Sequence, residues 1–218
     1  VDHHREAAVE RTFDVDRLGI RGQQSLADRR NPLHDWTIDE FLTRLASRTP
    51  APGGGASAAL QAATGAALLA MVARYSSGEV AGRVATAADE LRETGLRLAA
   101  QDAAAFETVG TAYKLPKSTD EQRQARTAAI TSALAGAVEP PLAVIAAARQ
   151  LIELAEELLP ASNKNVITDI AAAAESIRAA AATSRVNVEI NRGPVADIDD
   201  LLVRAENLTA AVRREITS

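Results

Sequence analysis

The sequence predicts an all-α protein, an up-and-down bundle of long antiparallel helices around an alanine-rich core. Three observations lead there. Alanine makes up roughly a fifth of the 218 residues, well above its usual share. Aromatic residues are only 3%, whereas sheets favour β-branched and aromatic side chains. Apolar residues also recur at helical spacing between Pro and Gly breaks, and no useful stretch alternates with period two. Short connections between long helices make successive helices antiparallel neighbours.

Residues 1–35 read as a charged, arginine-rich N-terminal arm with scattered Phe13, Leu18, Ile20 and Leu26; residues 36–218 read as one helical domain. Thr37, with Glu40 three residues on, has capping-box spacing and starts a helix. Its stripe is Ile38, Phe41, Leu42 and Leu45, and it must end before Pro50. The turn PAPGGG, Pro50 to Gly55, opens a helix over 57–76. This contains the longest apolar run, Ala56 to Ala73, which is mostly alanine and interrupted by Ser57, Gln61 and Thr64. A buried helix fits that composition better than a membrane span.

Ser76-Ser77-Gly78 breaks the chain before a long helix from Val80 to Tyr113, with Val84, Ala88, Leu91, Leu98 and Phe106 among its apolar positions. Pro116 closes it, and Ser118-Thr119-Asp120 caps the next helix from Glu121. Pro140-Pro141 predicts a kink or break there, with helix resuming from Leu142 to Leu158. Asn163 to Thr168 caps a helix over 166–191, ended by Gly193-Pro194, and a last helix covers 196–216.

Composition also excludes functions. With no cysteine there are no disulfides, thiolate nucleophiles or Cys-based zinc sites. The three histidines, His3, His4 and His34, lie near the start without metal-ligand spacing, so no metal site is expected. Net charge is -5, and no basic stretch is interleaved with aromatics, which argues against a nucleic-acid partner. The charged N-terminus has no signal-peptide pattern, so the expected location is cytoplasmic, with no membrane partner.

Rare residues cluster. Only three of 24 basic residues are lysines, Lys114, Lys117 and Lys164, all beside prolines, caps or asparagines. Asn163 and Asn165 flank Lys164, while Asn187 and Asn191 sit four apart on one helix face. Asp169 and the Asn165 region lie about 27 Å along that helix from Asn187. One small site within one chain cannot use both ends; one end is structural, or the two serve different subunits of a dimer. The glycines of the turn, Gly53, Gly54 and Gly55, expose backbone N–H groups to a carboxylate or phosphate. No G-K-[ST] follows, so the turn is not a P-loop.

Taken in order, DEFLTRLASRTPAPGGGASAALQAATGAALLAMVA, DAAAFETVGTAYKLPKSTDEQRQAR, NKNVITDIAAAAE and NVEIN resemble the cyclodeaminase/cyclohydrolase family. That family includes the C-terminal domain of formiminotransferase-cyclodeaminase and stand-alone bacterial methenyltetrahydrofolate cyclohydrolases. The resemblance covers residues 39–191. It implies an all-helical fold, homodimerisation and a folate substrate, with no cofactor beyond it. The expected reaction is hydrolysis of 5,10-methenyltetrahydrofolate to 10-formyltetrahydrofolate. The alternatives are deamination of formiminotetrahydrofolate, or a helical dimer on the same fold that is non-catalytic or binds no folate.

Either reaction is acid–base chemistry for which a carboxylate of tuned pKa suffices. Asp102 and Asp169 are the candidate carboxylates. Asp102 sits among alanines with Phe106 one turn on, so an apolar surrounding would raise its pKa. Asp169 fits orienting or capping in a first turn. Lys117 joins them as a catalytic candidate; Lys114, Lys117 and Arg126 would each meet the glutamate tail or polarise the bridge. Tyr113 would stack or hydrogen-bond. Pro52 and the three glycines would line the pocket, with Asn163, Asn165, Asn187 and Asn191 as further binding candidates.

Overall fold

The computed structural model describes residues 33–191, 193 and 197–217. Most of the expected arm, residues 1–32, lies outside the described residues, as do Arg192, Pro194 to Ala196 and Ser218. Among the described residues there are six α-helices, three short 3-10 turns and no strand. The helices are α1 Ile38–Leu45, α2 Gly54–Tyr75, α3 Glu79–Tyr113, α4 Asp120–Leu158, α5 Thr168–Ile190 and α6 Asp199–Thr217.

Helix α2 is the centre, packed against α3, α4 and α5, with α6 added on the far side of α5. Among the described residues it is one of two helices long and apolar enough to cross a membrane, yet it is buried by its neighbours along most of its length. Its small residues explain the close packing. A Cβ on Gly95 of α3 would come within 2.9 Å of the Ala59 carbonyl, and one on Gly65 within 2.6 Å of Ile177. Bulkier side chains would hold these axes apart, so an alanine-rich sequence is what this packing requires. Gly78, at φ +99°, supplies the left-handed turn from which α3 starts.

Local chemistry sets the ends. Thr37 Oγ1 accepts the Glu40 amide at 3.1 Å, while the Glu40 carboxylate takes Arg44 at 2.7 Å rather than closing the reciprocal bond. Thr119 and Gln122 form a complete capping box for α4. The apolar stripe of α1 is largely uncovered: Ile38 is 81% and Leu42 54% exposed, and Phe41 alone of its apolar residues packs on the core.

Of the kink or break expected at Pro140-Pro141, the break is absent: α4 runs unbroken through both prolines, which are buried. Pro141 has no N–H to give the Ala137 carbonyl one turn back. That carbonyl accepts the Asn191 side-chain amide at 3.0 Å instead. A side chain from α5 thus replaces one of the hydrogen bonds the prolines remove. Past the start of α2, α3 and α4 continue as a two-helix arm with its own small core of Val109, Ala112, Ala133, Leu134 and Ala137.

Candidate functional site

The turn from Pro50 to Gly53 delivers the chain into α2 with no side chain capping the helix start; the Ala51–Pro52 peptide is cis. The first helical bond is Ser57 N–H to the Gly53 carbonyl, at 3.0 Å. The amides of Gly54 and Gly55 therefore have no intrahelical acceptor at the positive end of the helix dipole. Pro52 and Gly55 are buried, and Gly54 is exposed.

Asp102 of α3 reaches this helix start. Its carboxylate accepts the Ala56 amide and occupies the volume that a Cβ on Gly55 would need. Burial is the larger effect on its acidity and pushes its pKa up to about 6; the Ala56 amide pulls it back down. A carboxylate so placed changes charge near neutrality, which suits proton transfer. On the opposite side, a Cβ on Gly54 would meet Thr183 Cγ2 of α5 at 3.9 Å. The start of α2 thus lies between Asp102 and Thr183, while Phe106, one turn further along α3, is half-buried against the arm's small core.

The remaining sequence candidates divide into those near this point and those far from it. Asn187 lies one turn past Thr183, and its buried Nδ2 has no partner. Asn191 is committed to the Ala137 carbonyl. Tyr113, Lys114 and Lys117 lie at the far end of the arm, where Lys114 caps α3 about 18 Å along the helix from Asp102. Lys114 and Lys117 are exposed. Arg126 braces this tip, its Nε donating to the Tyr113 carbonyl at 3.3 Å and its guanidinium 5.5 Å from the Tyr113 ring centre. Within one chain, Lys117 and Asp102 occupy separate regions.

Asn163, Asn165 and Asp169 are at the opposite end of the bundle. Asn163 Nδ2 donates to the Tyr75 carbonyl at 2.9 Å, its N–H donates to Ser76 Oγ at 2.9 Å, and its Oδ1 accepts the Asn165 amide at 3.0 Å. Tyr75 is the last residue of α2, about 32 Å from Gly54. Lys164 pairs with Glu215 at 2.9 Å. Of the two ends weighed from sequence, this one is stitched into the fold.

Sequence reasoning missed Thr183 and Ser184. Ser184 is 1% exposed, and its Oγ has no partner. The available signal was a serine in the apolar stripe Ala173, Ile177, Ala180, Val188, where the period calls for an apolar residue. Among the described residues, no group of three or more His, Asp or Glu is arranged to hold a metal ion.

The chain is thus an all-helical domain among the described residues, with a half-buried carboxylate against the first turn of its central helix. A sequence profile described as formiminotransferase-cyclodeaminase matches residues 37–211. The methenyltetrahydrofolate cyclohydrolase of Methylorubrum extorquens is 41% identical over 163 residues, covering 71% of this chain and 78% of that one. The formimidoyltransferase-cyclodeaminase of Rattus norvegicus is 34% identical over 76% of this chain, which spans about a third (32%) of that longer protein. The crystal structure of formiminotetrahydrofolate cyclodeaminase from Thermotoga maritima aligns with a TM-score of 0.63 at 29% identity, over 82% of this chain and 91% of that one. The chain belongs to the formiminotransferase-cyclodeaminase family.

Proposed function

We propose that this protein hydrolyses 5,10-methenyltetrahydrofolate to 10-formyltetrahydrofolate. The observation that carries the reading is Asp102, a carboxylate with its pKa raised to about 6 and held against the first turn of α2, whose N-cap is a glycine. The methenyl bridge is an electrophilic, cationic carbon shared by N5 and N10. Ionised Asp102 offsets that charge and takes a proton from the water that attacks the bridge carbon. The resulting carbinolamine breaks its bond to N5, which receives the proton from Asp102. The hydroxyl proton leaves to solvent as the formyl carbonyl forms on N10. One water is consumed and one proton released. The exposed Lys114 and Lys117 would meet the glutamate carboxylates at the far end of the substrate, a binding role rather than a catalytic one.

The name and 41% identity of the Methylorubrum protein support hydrolysis. The second reading, deamination of formiminotetrahydrofolate, is favoured by the names of the rat and Thermotoga relatives. There N10 attacks the formimino carbon, and protonated Asp102 supplies the proton with which ammonia leaves. The test follows the methenyl chromophore against the buffer-catalysed background. An enzyme-proportional rate lost in Asp102→Asn supports hydrolysis; no such rate, with ammonia released from the formimino substrate, replaces it by the second reading.

A homodimer, a cytoplasmic location and the absence of a resident cofactor complete the proposal. The uncovered Ile38 and Leu42 supply apolar surface for association, and light scattering on the purified protein reads the mass directly. A readily oxidised reduced folate suits a reducing compartment.

A further inference from the structure

Helix α5 packs antiparallel on α2 until α2 begins, and then continues against α4, where Ile190 joins the arm's small core and Asn191 bonds Ala137. Ala173 and Ile177 close on Gly65, and Thr183 closes on Gly54, the first residue of α2. At 100° per residue, Ser184 and Asn187 fall within the arc of about 120° between Ile177 and Thr183. The face that packed on α2 therefore runs past its first turn and meets the space in front of the Gly54 and Gly55 amides. Two polar side chains on that face keep a buried atom without a partner, Ser184 Oγ and Asn187 Nδ2. Their neighbours on the same helix behave differently. Ser176 returns its hydroxyl to the Ala172 carbonyl at 3.0 Å, and Asn191 gives its amide to Ala137. Two unpartnered groups three residues apart are adjacent on the helix surface, and buried polar groups are normally satisfied. A ligand that docks on the start of α2 would satisfy them together.

We propose that Ser184 and Asn187 read the amide edge of a fused pyrimidinone ring: the Asn187 carboxamide pairs with a ring carbonyl and N–H, and Ser184 Oγ accepts the adjoining amino group. This rests on the folate reading and names the part of the substrate that this wall recognises. A carboxamide is the side chain whose donor and acceptor match a lactam edge in both positions. The lactam is remote from the reacting bridge, so the contact acts on binding equally in ground and transition states and appears in KM.

The test compares wild type with Asn187→Leu and Ser184→Ala, using 5,10-methenyltetrahydrofolate for turnover and tetrahydrofolate for thermal shift. Because neither group is bonded within the fold, both variants should melt at or above the wild-type temperature without ligand. Asn187→Leu should raise KM about tenfold or more with kcat within a few-fold, and should lose the tetrahydrofolate-induced shift. Ser184→Ala should raise KM a few-fold. A fall of several degrees in the unliganded Asn187→Leu melting temperature overturns the proposal, because the amide then belongs to the fold. So does an unchanged KM in both variants while wild type is active. A folded wild type that neither turns over the methenyl compound nor responds to tetrahydrofolate overturns the folate reading and this inference with it.

Discussion

The Asp102 carboxylate lies where Gly55 would otherwise carry a Cβ. Two segments 47 positions apart in sequence are thus fitted to each other at atomic contact, and the third glycine of the turn is the residue that permits it. Gly55→Ala places a methyl group on the carboxylate. The neighbour that must yield is a short, half-buried side chain, so the backbone of α2 stays and Asp102 moves. The expected result is a loss of about 100-fold in kcat from displacing the reacting group, with stability lowered by about 1–3 kcal/mol for the overpacking. Steady-state kinetics beside a urea titration checks it. Gly54→Ala, which meets only Thr183 Cγ2 at 3.9 Å, is the control that should retain the fold and most of kcat.

Asp102 opposes stability wherever it is ionised. Its pKa in the fold is raised to about 6, above its unfolded value, so folding favours the protonated form. The stabilising contribution is full below the unfolded pKa and is lost as pH rises through about 6. Asp102→Asn removes the titration and keeps an acceptor for the Ala56 amide. The variant should match wild type at pH 4 and exceed it at pH 8, by at most about 3 kcal/mol for a shift of this size. Denaturant unfolding at the two pH values reads the difference, and equal stability increments at both would contradict a raised pKa.

The same ionisation separates the two reactions. As the base for water, Asp102 must be deprotonated, so kcat/KM for hydrolysis should rise with pH, reach half its limit near 6 and stay level above. As the proton donor for ammonia, it must be protonated, and formimino deamination should fall above that same point. The sign of the limb identifies the role, since one group acting in opposite protonation states cannot give the same slope.

Much of the helical layout was legible because punctuation and periodicity are local. Gly78 and the Thr119 cap mark helix starts to the residue, and Pro116 marks the end of α3 to within three residues. Asp102 among alanines was recognisable as a carboxylate in apolar surroundings. The contact between Asp102 and Gly55 was not, because the register of α3 on α2 is set by packing along the whole helix pair. The asparagines show the same limit. Asn163, Asn187 and Asn191 look alike in sequence, yet one stitches a loop to the end of α2, one replaces a missing backbone donor and one keeps an unpaired amide. What distinguishes them is the partner across space. The continuity of α4 was illegible for the same reason: two prolines argue locally for a break, and the compensating donor comes from another helix.

That compensation can be measured as a coupling. In wild type the Ala137 carbonyl faces Pro141, which has no N–H, and takes the Asn191 amide at 3.0 Å. Asn191→Ala leaves a buried carbonyl unsatisfied and should cost about 1–3 kcal/mol of stability. Pro141→Ala restores the backbone donor one turn on, so the carbonyl no longer depends on Asn191. In that background Asn191→Ala should cost much less, so that the two costs depart from additivity by about 1 kcal/mol or more in a double-mutant cycle, the double variant losing less than the sum. Turnover by the Asn191→Ala variant should stay within a few-fold of wild type, because the amide is already committed to the Ala137 carbonyl of α4. Additive costs in the cycle would mean that the amide serves some other purpose and that α4 tolerates its prolines without it.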